Sequence, residues 1–367
     1  MSAAAGADLR WLAAAARMAR PWVGTTGRNP TVGALVVDPA TGRVFGRGVT
    51  APGGKPHAEP PALAMAGNGT RGATLYVTLE PCHHSGSTPP CVEAVIAAGI
   101  GRVVMAMPDP DPRTAGRSGE KLRQSGIEVL VADPAELPSG LHEGYLMRRR
   151  QNRPFVAAKL AVSADGMIGR RDEANVPVTG DEARRFTHVL RSRHDAILVG
   201  AATARLDDPR LDVRVKGMEN RSPRRWVALG ERAAEPRLRL FSGEGPPSGV
   251  ILADAALAAA LPPAIERLVV SPASGAGIDW SDALARLGGR GTNQILVEGG
   301  AAILHTLLDA GLVDRFYLLE SGREIGVGGV SASPGGDIGA ALGAAGLCVV
   351  HERPLGGDRV TVFERAR

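Results

Sequence analysis

The stretch that decides the reading of this chain runs Pro56-His57-Ala58-Glu59, then Thr78-Leu79-Glu80-Pro81-Cys82, then Pro89-Pro90-Cys91, with eight residues between the two cysteines. Zn²⁺ takes imidazole nitrogen and thiolate sulfur in a tetrahedron, and a catalytic zinc keeps one position open for water. His57, Cys82 and Cys91 supply three ligands, and the sequence offers no evident fourth. Glu59 follows the histidine by two residues, where it can sit beside the bound water and move protons without ligating the metal. The same spacing predicts local structure. His57 and Glu59 come where a helix should begin, after Gly53-Gly54-Lys55-Pro56, Cys82 follows an apolar strand over 74–79, and Cys91 opens a helix over 92–98.

A histidine, an acid at fixed offset and two cysteines in this order are the signature of zinc-dependent nucleobase deamination. The competing reading is a closed zinc knuckle or two buried thiols, because free cysteine often serves as a small apolar core residue. The joint occurrence of all four residues, each beside a proline or a turn, favours the open catalytic site.

Working outward, residues 32–38 and 43–49 read as a hairpin around Pro39-Ala40-Thr41-Gly42. Beyond Cys91, strands over 102–107 and 127–131 alternate with helices over 118–125 and up to about 150. Such alternation predicts an α/β/α sandwich. A polar stretch, Gln151-Asn152-Arg153-Pro154, divides the chain into domains 1–150 and 151–367. The second domain opens with the apolar strand 155–162 and continues as α/β, with strands over 196–200, 226–229, 249–253, 268–270, 294–297 and 314–319 and a terminal pair, 348–351 with 359–363. Thr179-Gly180-Asp181-Glu182 reads as a capping box starting a helix over 179–192.

Composition narrows the possibilities. A chain of 367 residues with 44% apolar content is comfortable for two cores. Three cysteines, the last of them isolated at Cys348, argue against a disulfide framework and for the cytoplasm. The alanine-rich start carries Arg10, Arg17 and Arg20 within its apolar run, so it reads as a helix and not a signal peptide. No apolar run is long enough to suggest a membrane span. The net charge is +5, with only four lysines, at positions 55, 121, 159 and 216. The arginines are scattered and aromatics make up 4% of the chain, so nucleic acid is not the expected partner. Arg148-Arg149-Arg150 reads as a helix end, and the mild positive balance suits a phosphorylated small molecule.

In the second domain, three polar clusters stand out. Lys159 interrupts the apolar strand Phe-Val-Ala-Ala-Lys-Leu-Ala-Val. Acids and arginines alternate from Asp207 to Arg214. Glu298-Gly299-Gly300 ends a strand where a helix begins, a plausible anion seat. Each has a bland counterpart: Lys159 as a snorkelling edge residue, Asp-Asp-Pro as a turn, Gly-Gly as a sharp connection. No Gly-x-Gly-x-x-Gly occurs, so any dinucleotide is held by a fold other than the Rossmann type.

Over nearly its whole length the chain resembles the bifunctional deaminase/reductase family of riboflavin biosynthesis. In the first domain the resemblance rests on Asn29-Pro30-Thr31-Val32-Gly33, Pro56-His57-Ala58-Glu59, Leu79-Glu80-Pro81-Cys82 through Cys91, and Asp109-Pro110 with Ala115-Gly116-Arg117. In the second it rests on Lys159-Leu160-Ala161, Asp165-Gly166, Thr179-Gly180, Arg191, Thr203, Asp207-Asp208-Pro209, Leu211, Arg214, Glu298-Gly299-Gly300 and Gly311-Leu312-Val313-Asp314. The resemblance implies a cytidine-deaminase-like domain followed by a dihydrofolate-reductase-like domain, with zinc and NADPH as cofactors. It implies that Asn29 and His84 orient the pyrimidine, and that Ala161, Pro177, Thr203, Asp207 and Gly300 line the NADPH site. Lys159, Asn175, Arg191, Leu211, Arg214 and Glu298 would hold the reductase substrate, a ribose phosphate onto which arginine can fork. A homo-oligomer is expected.

Some positions depart from the family pattern. Ser87 stands where a basic residue is usual, Thr50 where a histidine is, Asp111 in place of an asparagine, Pro177 in place of a tryptophan, and Gly230 in place of an aspartate; residues 321–336 match poorly. These motivate a second reading, a repurposed relative that deaminates another pyrimidine with a weakened or silent reductase. A third is a non-catalytic zinc module that binds nucleic acid.

Overall fold

The computed structural model describes residues 6–86, 88–133, 140–230, 233–273, 277–333 and 335–366. Ser87 lies outside them. The chain forms two compact units, Met1–Gln151 and Asn152–Arg367.

The first unit runs α1 (Gly6–Ala19), β1 (Gly33–Val37), β2 (Val44–Val49), α2 (Glu59–Ala66), β3 (Thr74–Val77), α3 (Cys91–Ala97), β4 (Arg102–Met105), α4 (Arg117–Gln124), β5 (Glu128–Val131) and α5 (Glu143–Gln151). Its sheet has the order β2-β1-β3-β4-β5, with β1 antiparallel to both neighbours and β3, β4 and β5 parallel. Strands β1 and β3 are buried at every position, as expected when helices cover both faces. Alternate residues serve opposite cores. Leu35, Val37, Tyr76 and Val104 pack on Leu12 and Ala15 of α1. Val36, Val77 and Val103 pack on Ala62, Val92 and Leu122 from α2, α3 and α4. The sandwich read from the sequence is therefore present.

The edge strand β2 receives α2 unusually closely. A Cβ placed on Gly46 would lie 2.0 Å from the Ala62 carbonyl oxygen, and one on Gly48 would lie 2.1 Å from that of Ala58. Only glycine admits this approach, and it sets where the helix bearing Glu59 begins.

The second unit runs β6 (Phe155–Val162), β7 (Met167–Arg170), α6 (Asp181–Arg191), β8 (Ala196–Gly200), α7 (Ala201–Asp207), β9 (Arg224–Ala228), β10 (Ser248–Leu252), β11 (Glu266–Val269), α8 (Trp280–Gly289), β12 (Gln294–Val297), α9 (Ala301–Asp309), β13 (Arg315–Ser321), β14 (Gly329–Ser331), α10 (Ile338–Ala344), β15 (Leu347–Leu355) and β16 (Asp358–Arg365). Nine strands form one sheet in the order β11-β10-β9-β8-β12-β6-β13-β16-β15, while β7 and β14 pair separately. From β11 to β13 all neighbours are parallel; β16 and β15 close the sheet antiparallel. Helices α8 and α9 cover one face through Leu284, Leu287, Leu304 and Leu307. On the other, Ala201 and Ala204 of α7 join Ile197 and Val199, and Ala183 of α6 joins Leu319 and Val360.

Two sequence expectations need correction here. The capping box does not form: α6 starts at Asp181 with Gly180 as its N-cap and no side-chain cap, because Thr179 is buried and the Gly180 N–H donates to Asp358 Oδ2 at 2.7 Å. Lys159 is not an edge residue, because β12 and β13 flank β6 on both sides.

Candidate active sites

Three segments bring the expected metal ligands together. His57 precedes the first turn of α2, Cys82 follows β3, and Cys91 begins α3. His57 Nδ1 lies 3.5 Å from Cys82 Sγ and 3.4 Å from Cys91 Sγ, and the three donor atoms lie within 4.8 Å of one another. A tetrahedral zinc with bonds of about 2.05 Å to nitrogen and 2.3 Å to sulfur requires N···S edges of ~3.5 Å. The donor set therefore fits zinc in both chemistry and size, with three ligands and a face left open. The Cys91 backbone N–H donates to Cys82 Sγ at 3.2 Å. Contacts from Cys91 and His57 bring the Cys82 thiol down to about 4 against the opposing effect of burial, which favours the thiolate that a metal needs. Glu59 is 3% exposed. Burial, with the charge of Cys82 second, pushes its carboxyl up to about 7; a bound cation would act in the opposite direction.

A cavity of about 470 Å³ opens onto this cluster, and His57, Glu59 and Cys82 line it together with Asn29, His84 and Thr50. Asn29 Nδ2 donates to the Gly54 carbonyl at 3.1 Å. Gly54 has φ +90, and a Cβ there would lie 2.2 Å from that nitrogen, so glycine is what admits Asn29. His84 Nδ1 and Thr114 Oγ1 are 3.3 Å apart. Thr50 is fully buried and accepts from Val32 N at 2.9 Å. Sequence reasoning assigned no catalytic or binding role to Asp109, Asp111, Arg113, Tyr145 and Arg149, which also line the cavity. There Tyr145 donates to Asp109 at 2.9 Å, and Arg113 and Arg149 converge on Asp111. The available signal was Asp109-Pro110, in the loop that follows the parallel strand β4.

In the second unit, the expected residues gather at the carboxyl ends of β6, β8 and β12, where open α/β sheets bind ligands. Glu298 follows β12 and is 6% exposed at its side chain. It accepts from Arg191 Nε at 2.7 Å and Nη2 at 3.0 Å, and lies 3.6 Å from Lys159 Nζ. Burial pushes Glu298 up, but Arg191 and Lys159 overcome it and hold the carboxyl at about 2. Arg191 also donates to the Asp212 carbonyl, so its fork is engaged within the protein. Arg214 is exposed, and Leu211 is buried with φ +53. His188, absent from the sequence expectations, joins the group through Asp212 and the Arg214 amide.

Thr203 and Gly300 meet where α7 and α9 begin: the Gly300 N–H donates to Thr203 Oγ1 at 3.0 Å. A Cβ on Gly299 would lie 2.2 Å from Ile303 Cγ2, so close packing of α9 requires glycine at this strand-to-helix corner. Asp207 accepts from the Asn175 backbone N–H at 2.8 Å and, through its carbonyl, from Asn175 Nδ2 at 3.1 Å. Pro177 is exposed nearby in sequence, and Ala161 packs among the β13 and β16 residues. A separate cavity of about 320 Å³, bounded by Gly180, Glu182, Arg323 and Asp358, takes in none of these residues.

Comparison with known proteins now decides the family. Residues 7–107 match the cytidine and deoxycytidylate deaminase zinc-binding region, and residues 154–343 match the RibD C-terminal domain. The chain is 35% identical to riboflavin biosynthesis protein RibD of Escherichia coli over 333 residues, covering 87% of this chain and 89% of that one. It belongs to the RibD family. RibD of Aquifex aeolicus is 36% identical, with 88% of each chain covered. A Thermotoga maritima structure described as a diaminohydroxyphosphoribosylaminopyrimidine deaminase/5-amino-6-(5-phosphoribosylamino)uracil reductase superposes with TM-score 0.83 at 30% identity, covering 98% of this chain and 99% of that one. RibD of Acinetobacter baumannii superposes equally well at 26% identity. The chain is thus a bifunctional deaminase and reductase of riboflavin biosynthesis, cytidine-deaminase-like in its first unit and dihydrofolate-reductase-like in its second, with zinc and NADPH as cofactors. Both RibD halves are present on one chain, so neither the reading with a lapsed reductase nor the non-catalytic zinc module has support. Among the described residues no helix is long and apolar enough to cross a membrane.

Proposed function

We propose that the first unit hydrolytically deaminates 2,5-diamino-6-(5-phosphoribosylamino)pyrimidin-4-one, and that the second reduces the ribosyl chain of the product to ribityl. The observation that carries this reading is the His57, Cys82 and Cys91 tripod, with buried Glu59 beside it in one cavity. His57, Cys82 and Cys91 would hold zinc, which would supply a water of lowered pKa as a nucleophile near neutral pH. Glu59, buried beside these ligands in the same cavity, would take a proton from the attacking water and return it to the departing ammonia. Asn29 and His84 orient the pyrimidine.

In the reductase, bound NADPH would supply the hydride for ribose C1, and the protein would supply its placement. Ala161, Pro177, Thr203, Asp207 and Gly300 line the cofactor seat. Lys159, Asn175, Leu211 and Arg214 face the substrate. Arg191 and Lys159 fix Glu298 as an anion that can accept from substrate hydroxyls. Arg214 is the exposed cation for the phosphate.

The three cysteines are free, which suits the cytoplasm. A homo-oligomer is supported by the edge strand β15, whose residues 348–354 are all exposed and offer an unpaired ladder. The test is to incubate zinc-loaded protein with the diaminopyrimidine ribosyl phosphate, with and without NADPH, and to follow ammonia release and NADPH absorbance. Ammonia release followed by NADPH consumption is expected; neither signal would refute the substrate assignment.

A further inference from the structure

We propose that Glu80 is a positioning residue of the deaminase, and that its carboxylate holds the loop 109–119 as the wall of the zinc cavity. The inference rests on the deaminase reading above. Glu80 lies between β3 and Cys82 and is 3% exposed. Oε2 accepts from Asp109 N at 3.2 Å and Gly116 N at 3.0 Å; Oε1 accepts from Ser118 N at 3.1 Å and Gly119 N at 3.2 Å. An ionised carboxylate offers about four acceptor sites, so backbone amides account for all of them. Among the described residues no cation pairs with it.

Capping of α4 explains only part of this arrangement. The α4 N-cap, Gly116, has no side chain to offer, and Glu80 serves the free amides of that first turn. The amide of Asp109, however, belongs to the other end of the loop. One carboxylate thus ties both ends of the loop to the segment that carries a zinc ligand.

The loop in turn carries cavity groups. Asp109 Oδ1 accepts from Tyr145 and from Asp111 N, both at 2.9 Å. Thr114 is fully buried, and its Oγ1 lies 3.3 Å from His84 Nδ1 and accepts from His83 N at 3.4 Å. Displacement of the loop therefore moves Asp109, Asp111 and Arg113 and releases His84, while His57, Cys82 and Cys91 keep their own supports. Glu80 also lines the cavity itself, but its carboxylate is taken up by the four amides, so it acts on the substrate through these residues.

The test uses the zinc-loaded full chain with Glu80→Gln, whose amide nitrogen cannot accept and faces two N–H groups. Zinc per chain, amide exchange of residues 109–119, KM and kcat for ammonia release and, separately, NADPH oxidation with the deaminated product supplied are measured. The expected result is wild-type zinc content and NADPH oxidation, faster exchange at Asp109, Gly116, Ser118 and Gly119, and a KM raised about tenfold, the scale of one lost charge-assisted contact, with a smaller change in kcat. Thr114→Val, which leaves Glu80 in place, should raise KM with little change in exchange at Asp109. Unchanged exchange in Glu80→Gln would overturn the hold on the loop; faster exchange with unchanged KM would overturn its link to substrate. Loss of zinc would reduce Glu80 to a structural residue of the metal site. If the wild-type chain itself releases no ammonia, the deaminase reading fails, whereas the exchange data still decide whether Glu80 holds the loop.

Discussion

Gly48→Ala tests how the zinc site is placed. The added Cβ would lie 2.1 Å from the Ala58 carbonyl oxygen, and ordinary contact begins at 3.4 Å. The start of α2 must therefore retreat from β2 by about 1.3 Å, or the edge strand must move by as much. Ala58 sits between the ligand His57 and the proton carrier Glu59, so the push falls on both. Metal–ligand distances tolerate about 0.2 Å, and a misplacement of about 1 Å at a reacting group costs roughly 10²-fold in rate. Overpacking adds a stability loss of about 1–3 kcal/mol. We expect reduced zinc content by elemental analysis and ammonia release lowered about 10²-fold even with zinc in excess, while NADPH oxidation with the deaminated product supplied stays at the wild-type rate. Gly46→Ala is the internal control. Its clash, 2.0 Å from the Ala62 carbonyl oxygen, is as severe but falls about one turn further along α2, so it should cost similar stability with a smaller loss of zinc. Full zinc content and ammonia release within about twofold of wild type in Gly48→Ala would refute the argument that these glycines set the site.

Glu59→Gln should retain zinc and lose ammonia release by about 10²–10⁴-fold, because it removes a proton carrier and no ligand; single-turnover assays with metal analysis check both. Cys91→Ser, or treatment with a chelator, should abolish ammonia release and spare NADPH oxidation when the deaminated product is supplied, and added zinc should restore only the chelated wild type. Glu298→Ala strands Arg191 and Lys159 as buried, unpaired cations, so about 3–5 kcal/mol of stability should be lost by urea titration, along with NADPH oxidation. Glu298 titrates at about 2 in the fold against an ordinary 4.5, so its contribution is fully present above 4.5 and is lost as pH falls toward 2. The stability gap between wild type and Glu298→Gln should accordingly be flat from neutral pH to about 4.5 and shrink below it.

The zinc site was legible because its chemistry lies in short spacings: a histidine at a helix start and cysteines at a strand end and a helix start need little beyond local structure to converge. The start of the strand at Phe155 was legible for the same reason. What escaped depends on order and distance. Strand order is not written in β6, so Lys159 could be read as an edge residue, when in fact β12 inserts between β8 and β6 and brings Glu298 beside it. Thr179 carries the letters of a capping box, yet Asp358, far along the chain, takes the Gly180 amide. The pairing of β7 with β14 joins segments about half the chain apart, and α7 and α10 are short, alanine-rich and without a clear apolar stripe. The part of the cavity wall formed by the loop after β4 is held by its amides converging on Glu80, and no spacing near Glu80 records them.

Three buried glutamates show that partners, not residue type, set the task. Glu59 sits buried beside the metal ligands His57 and Cys82, where it lines the cavity as a carboxyl free to exchange a proton. Glu298 is as deeply buried, but two cations hold it well below the usual carboxylate range, which makes it useless as a proton carrier and well suited to being a fixed anion. Glu80 meets four backbone amides, which can neither leave nor titrate, so its charge is spent on holding a loop. Replacement by glutamine is isosteric in all three places and should separate them: loss of turnover with zinc kept at Glu59, loss of stability and reduction at Glu298, and a raised KM with a mobile loop at Glu80. A shared outcome at all three would mean that general unfolding, and not the local partner, governs the response.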